Sequence, residues 1–222
     1  MRAALKFHPR LEALEDLLAP GGGDVLPAAA HLSGYSLTDM ARETAQFLTS
    51  GTDPSRYPNT PFQILYQDPA RQTDTFNPAT GGLVARGINA FTVKPGTPFY
   101  VPLAYSDDSP PIVGGTFPTI PQAAADYMFS HDLNGLGNLQ IVVDGQATSI
   151  GAAYAAGPTH TPPLLDGGGS HIITVGAFLT PLSPGVHTVT ISGEFSGVGF
   201  QQTSGLAFVD FASTYTITVQ PH

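Results

Sequence analysis

Neither cysteine nor tryptophan occurs anywhere in the 222-residue chain. The missing cysteines exclude disulfide staples and thiolate metal sites; they fit an oxidising exterior but are also common inside cells, so on their own they assign no compartment. Charge is scarce as well, at 11% of residues, and one sign disappears part-way, because every Lys and Arg falls at or before Lys94. From Pro95 to His222 the chain carries Asp107, Asp108, Asp126, Asp132, Asp144, Asp166, Glu194 and Asp210, with nothing basic except histidine. Nucleic acid is excluded as a partner of this stretch, since neutralising phosphates takes Lys or Arg. Polyanionic glycans and nucleotide phosphates are disfavoured for the same reason. Carboxylates without basic partners are left to solvent, to backbone N–H groups or to cations. No apolar run approaches the ~20 residues that a membrane-spanning helix needs, so no transmembrane span is expected.

What is present suits a turn-rich globular chain. Hydrophobic residues make up 41% of the sequence, and 25 Gly and 21 Pro punctuate it. A chain of this size buries roughly 70% of its unfolded surface without staples. One helix stands out at about 37–49, with Ser36 as N-cap, Asp39 in the first turn, Leu37, Met40, Ala41, Phe47 and Leu48 along one face, and Gly51 as a stop. Residues around Gln122–Phe129 suit a short second helix. Short β-rich runs occur at Phe62–Tyr66, Ile88–Val93, Phe99–Tyr105, Leu139–Val143, Ile172–Leu179, Val186–Ser192, Leu206–Phe211 and Thr214–Val219, between clusters of Gly, Pro, Asn and Asp. The expectation is an all-β fold: a single β-sandwich or jelly-roll-like domain of about eight strands over residues 36–222, with one N-terminal amphipathic helix. Gly21-Gly22-Gly23 and the Ala-rich stretch after it mark 21–35 as a flexible linker.

The first twenty residues carry Arg2, Lys6 and Arg10, then Leu11, Leu14, Leu17 and Leu18 at helical spacing, interrupted by Glu12, Glu15 and Asp16. Those acids break the apolar stretch of an ordinary secretory signal. The wording Pro9-Arg10-Leu11-Glu12-Ala13-Leu14-Glu15-Asp16-Leu17-Leu18-Ala19-Pro20 resembles the short LEPR-xLL-type motif on exported and envelope proteins of planctomycetes. The resemblance implies that residues 1–20 are a targeting segment and that the protein is exported, to a periplasmic, cell-surface or extracellular place. A second resemblance covers about 62–220. It is carried by Asn77-Pro78 with Gly81-Gly82, by the run from Phe91 to Leu103, by Val143-Asp144-Gly145, by Leu179-Thr180-Pro181-Leu182-Ser183-Pro184-Gly185-Val186-His187-Thr188-Val189, and by Ser213–Val219. These residues look like a family of uncharacterised secreted bacterial proteins with a PLSPG-x-HT-[IV] phrase. That implies one exported β-domain and brings no mechanism with it. His187 falls on the same strand face as Val189 and Ile191, which favours a satisfied core histidine over a ligand.

Three stretches hold candidate chemistry. Ser130-His131-Asp132-Leu133-Asn134-Gly135-Leu136-Gly137-Asn138 is similar to an EF-hand or dockerin calcium loop, but Leu136 and Val143 stand where oxygen ligands are required. It reads as a turn, with calcium as the alternative if Asp144 or a distant loop completes the shell. Asp166-Gly167-Gly168-Gly169-Ser170-His171 puts an acid, a hydroxyl and an imidazole on one loop, without the G-x-S-x-G elbow of a nucleophilic serine. Asp107-Asp108 is the densest acid pair in the basic-free stretch and suits a hard cation, or plain solvent. No H-E-x-x-H, Walker or G-x-G-x-x-G motif occurs, and Gly197-Val198-Gly199 lacks the third glycine. No catalytic or cofactor-binding residue is assigned.

Two functional classes follow. The first is a non-catalytic exported module of the envelope or exterior that binds a neutral glycan or a protein surface, or serves a structural role. Tyr66, Tyr100, Tyr105, Tyr127 and Tyr154 are its candidate sugar-stacking residues. The alternative is a metal-dependent hydrolase or lyase in which His131, Asp132, Asp166 and His171 converge on calcium or another divalent metal, with Asp107, Asp108, Asn134 and Asp144 as further candidate ligands.

Overall fold

A computed structural model describes residues 24–221; the expected targeting segment at 1–20 lies outside them. The described chain is mostly β. Helix α1 (Leu37–Leu48) precedes β1 (Gln63–Ile64), β2 (Gln72–Asn77), β3 (Gly82–Val93) and β4 (Phe99–Asp107). Helix α2 (Pro121–Phe129) leads to β5 (Leu136–Val143), β6 (Gln146–Ser149), β7 (Ala155–His160), β8 (His171–Leu179) and β9 (Gly185–Phe195). Helix α3 (Val198–Ser204) and β10 (Phe208–Val219) complete it. Two sheets result, one ordered β1-β4-β8-β7 and the other β2-β3-β10-β9-β5-β6. Both are mixed, because β1 runs parallel to β4 and β3 runs parallel to β10.

The largest buried cluster draws Val101, Leu103, Ile173, Val175 and Leu179 from the first sheet and Val93, Ile141, Val189, Tyr215 and Ile217 from the second. The opposite side of the first sheet is covered by α1. Ser36 caps that helix reciprocally with Asp39: Asp39 N–H donates to Ser36 Oγ at 3.1 Å, and Ser36 N–H to Asp39 Oδ2 at 3.0 Å. Its buried residues Leu37, Met40, Ala41, Phe47 and Leu48 join Tyr100, Ala156 and Phe178 in a second cluster. Strand β8 therefore has apolar neighbours on both faces, which is why Ile172–Leu179 reads as a continuous run and not as an alternation. From Asp24 onward, the residues read as a linker are tied to this sheet. Val25 bridges Leu179, Leu26 N–H donates to the Phe178 carbonyl at 2.9 Å, and the Tyr154 hydroxyl donates to the Leu26 carbonyl at 3.1 Å.

The runs expected at Leu206–Phe211 and Thr214–Val219 are one twelve-residue strand, β10. Ala212-Ser213 is a weak strand former, but β10 pairs along its length with β3 on one flank and β9 on the other, so the ladder continues through it. Its one exposed threonine, Thr216, thus belongs to a central strand and not to a sheet edge. Strands β2, β6 and β7 are additional to the expected set. Strand β2 (Gln-Thr-Asp-Thr-Phe-Asn) is exposed throughout and has no apolar alternation to reveal it. Strand β7 contains Gly157-Pro158, which an edge strand tolerates because the missing N–H has no ladder to serve.

Candidate functional site

The first sheet brings acid and imidazole side chains together at one end. Asp108 directly follows β4, His171 opens β8 and His160 closes β7. Because the strand order is β4-β8-β7, these three residues form a row across neighbouring strands, with His160 and His171 as direct cross-strand partners. Asp108 Oδ1 accepts from the Ser170 N–H at 2.6 Å and the His171 N–H at 2.8 Å, while Oδ2 meets His171 Nδ1 at 2.9 Å. Desolvation pushes the Asp108 carboxyl up, but these bonds and the imidazole outweigh it and hold the pKa below the ordinary carboxylate value. An ionised carboxylate only accepts, so the Nδ1–H of His171 donates to Asp108 Oδ2. The His160 and His171 rings meet edge to face, 5.2 Å between centroids. They open on a cleft of about 400 Å³ walled by Phe117, Pro118 and Pro158.

The geometry of residues 166–171, where no catalytic residue was assigned, does not make a Ser-His-acid triad. Ser170 Oγ lies 3.1 Å from His171 Nδ1, the nitrogen already given to Asp108. A triad needs the nucleophile on Nε2 and the acid on Nδ1, so Ser170 is on the wrong side of the ring. Asp166 is not the partner of His171. It lies near Asp107 and Tyr105 in another cleft of about 370 Å³, which Phe195 and Phe200 also line. Burial and the charge of Asp107 push the Asp166 carboxyl above its ordinary value. Burial and both carboxylates push the Tyr105 phenol upward as well.

Residues 131–134 form a turn whose carbonyls face α3. Val198, Gly199 and Phe200 donate N–H groups to the carbonyls of His131, Asp132 and Leu133 at 2.7, 3.1 and 2.9 Å, and Gly197 donates to Asn134 at 3.0 Å. Asn134 is buried, with its side-chain amide donating to the Tyr127 carbonyl at 2.9 Å. The glycine spacing at 197 and 199 has its physical reason here: a Cβ on Gly197 would stand 2.2 Å from the Leu133 carbonyl oxygen. Asp144 is elsewhere again. With Gly145 it makes the two-residue turn between β5 and β6, at φ +48° and +87°, as an Asp-Gly hairpin turn requires. Its Oδ2 meets His187 Nδ1 at 2.6 Å and its Oδ1 accepts from the Thr188 N–H at 2.8 Å. His187 Nε2 donates to the Ser183 carbonyl at 2.8 Å. Burial of the ring opposes its protonation, but the bonds to Asp144 and Ser183 and the charge of Asp144 prevail and raise its pKa. Two of the stretches quoted for the secreted-family resemblance, Val143-Asp144-Gly145 and the one from Leu179 to Val189, thus meet as a structural clasp.

Among the described residues no three His, Asp or Glu side chains gather as a metal-binding group. The convergence of His131, Asp132, Asp166 and His171 is therefore not formed. The residue that sequence reasoning missed is His160. Its only signal was its place opposite His171, which depends on a strand hidden by Gly157-Pro158.

A different surface carries a cluster of aromatic rings. A cleft of about 460 Å³ is lined by Tyr57, Phe62, Gln63, Tyr66, Phe91 and Thr92, without a charged side chain. It lies beside β1, the edge of the first sheet, and the last residues of β3 in the second. The Tyr66 ring is held edge-on by Phe47, Tyr57 and Phe91, at centroid distances of 5.0, 6.0 and 5.4 Å. The Tyr57 hydroxyl accepts from the Ile64 N–H at 2.8 Å and so closes the β1 edge. Of the five tyrosines singled out, Tyr66 lines this cleft, whereas Tyr100 and Tyr127 are core residues. Among the described residues no helix is long and apolar enough to cross a membrane. No protein-family model, no curated protein and no solved structure matches the chain.

Proposed function

We propose that this protein is an exported, non-catalytic β-sandwich module that binds an uncharged, hydroxyl-rich ligand, a neutral glycan, in the aromatic cleft around Tyr66. The sandwich reading is supported by the single apolar cluster shared by both sheets. Export is supported by the wording of residues 9–20 and by the secreted-family phrases. The observation that carries the binding reading is a cleft of ligand size, within the roughly 300–1,000 Å³ typical of small-molecule sites, walled by Tyr57, Tyr66 and Phe91 and free of charge. Rings offer sugar C–H faces a flat apolar surface, while Gln63 and Thr92 offer neutral hydrogen-bonding groups.

The test is titration of the full chain with neutral oligosaccharides (β-glucan, mannan and chitin oligomers) by calorimetry and NMR. The expected result is saturable, salt-insensitive binding by one class. Tyr66→Ala should weaken it about tenfold, equal to about 1.4 kcal/mol, and Tyr66→Phe less. No binding to any of them at millimolar concentration, or equal binding by Tyr66→Ala, would reject the glycan site. Export is tested separately by fractionating cells that express the chain with and without residues 1–20; only the longer form should leave the cytoplasm.

A further inference from the structure

We propose that the cleft beside the ends of β4 and β9, lined by Asp107, Asp166, Asn134, Tyr105, Phe195 and Phe200, binds a primary ammonium group carried on a short alkyl chain. This cleft shares no lining residue with the one around Tyr66 and does not depend on a ligand there.

The first reason is an excess of acceptors. Asp107 and Asp166 both line the cleft, and among the described residues neither forms an ion pair with a Lys, Arg or His. No Lys or Arg follows Lys94, so the stretch that builds the cleft supplies no fixed positive charge of its own. The second reason is independent of the acids. Asn134, only 3% exposed, lines the same cleft. Its Nδ2 donates to the Tyr127 carbonyl at 2.9 Å. That carbonyl can only accept, which fixes the amide nitrogen on its side and the oxygen on the other. The Oδ1 has no hydrogen-bond partner among the described residues, and the Tyr127 hydroxyl is committed to the Val113 carbonyl at 3.2 Å. A buried carbonyl oxygen without a donor is costly, so its place in a cleft wall points to a donor that arrives with a ligand. Three residues thus present acceptors, and an ammonium group brings three N–H donors, no acceptor and a compact positive charge.

The aromatic walls favour an organic cation over a metal ion. Calcium takes about six to eight oxygen ligands, whereas Tyr105, Phe195 and Phe200 offer rings, which attract a cation through their faces and cover an alkyl stem. Phe195 and Phe200 stack with 5.5 Å between centroids. Helix α3, which carries Phe200, is fixed by the N–H groups that Val198, Gly199 and Phe200 donate to the carbonyls of residues 131–133, and Gly197 N–H fixes the carbonyl of Asn134. The walls are therefore set before a ligand arrives. The charge of Asp107 also disfavours ionisation of Asp166, and a cation between the two removes that repulsion.

The experiment follows ¹H–¹⁵N spectra of the full chain titrated with n-butylammonium, n-butyltrimethylammonium and Ca²⁺. The expected result is saturable binding of n-butylammonium that weakens as salt is added, with shifts in the Asn134 side-chain amide and in the backbone of 105–109 and 195–200. Asp107→Asn and Asp166→Asn should each weaken binding about tenfold, as loss of a charge-assisted hydrogen bond does. Asp166→Asn relieves repulsion, so its loss of affinity should come without a lower Tm, a separation that a merely structural carboxylate would not give. Phe200→Ala should weaken binding about two- to fivefold through the lost ring face. Asp74→Asn, which removes the same charge from the exposed strand β2, should leave affinity unchanged. Tighter binding of Nα-acetyl-lysine methylamide than of cadaverine would assign a protein lysine as the source, and the reverse a free polyamine; either supports the site. No saturation by n-butylammonium, equal affinity in Asp166→Asn, equal binding of n-butyltrimethylammonium, or a response to Ca²⁺ alone overturns the proposal.

Discussion

His187 and His171 both present Nδ1 to an aspartate, at 2.6 and 2.9 Å, yet the pairs sit in opposite situations. The His187 side chain is 14% exposed and its second nitrogen is spent on the Ser183 carbonyl, whereas the His171 side chain is 43% exposed and its second nitrogen has no hydrogen-bond partner among the described residues. Both partners of His187 can only accept, so full satisfaction requires the doubly protonated ring. The clasp joins the β5–β6 turn to the loop before β9, and nothing is left over for a ligand. At Asp108 the same chemistry holds still a ring that lines a cleft. A His–Asp pair therefore states nothing about role until the other nitrogen is accounted for.

The comparison breaks if the two histidines matter equally to stability. His187→Ala removes two hydrogen bonds from a mostly buried ring, one of them charge-assisted, and should cost about 2 kcal/mol. For a domain of this size, that is a fall in Tm of about 4–8 °C at pH 5.5 by calorimetry. His171→Ala, which removes a half-exposed pair, should cost under about 1 kcal/mol. Equal losses would refute the assignment of clasp and site.

A smaller effect is the pH dependence of that gap. His187 is raised above its ordinary 6.5 and Asp144 is lowered below 3.8. The clasp is thus whole between about pH 3.8 and 6.5, fades as pH rises through the raised histidine value, and fades as pH falls through the lowered aspartate value. Asp108 is also lowered, so its contribution is present above 3.8 and lost only on the acid side. The Tm penalty of His187→Ala should therefore shrink from pH 5.5 to pH 9. A penalty independent of pH would remove the imidazolium from the account.

The smallest effect concerns the carboxylate with no histidine. Asp166 is raised by burial and by Asp107, so its ionised form is disfavoured in the fold and stability is lost as pH rises above 3.8. Asp166→Asn should raise Tm at pH 7, within the range of about 0.5 kcal/mol usual for surface changes. A lowered Tm would mean that the carboxylate is held by something other than these neighbours.

Much of the fold was legible because local chemistry and tertiary packing agree. Ser36 and Asp39 announce α1 through their own hydrogen bonds. The alternation Val189, Ile191 against Thr188, Thr190 assigns the two faces of β9, and with them the buried side of His187. Other elements left no local trace. Strand β2 is polar and exposed throughout, and β7 is interrupted by Gly157-Pro158. Helix α3 begins at glycines that exist to let its N–H groups reach the carbonyls of 131–134, a contact across about sixty residues of chain that no window of sequence contains.

By itself the sequence determined the β-rich class, the capped helix, the absence of basic side chains after Lys94, and the identity of most of the His and Asp residues that matter. Hydrophobic period, capping and turn geometry are local properties, readable within a few residues. Only the tertiary structure decided which acid meets which imidazole: Asp108 and not Asp166 for His171, Asp144 for His187, and His160 as the neighbour of His171. Those pairings follow from strand order and register, and register depends on how whole sheets bury their apolar faces and not on the residues being paired.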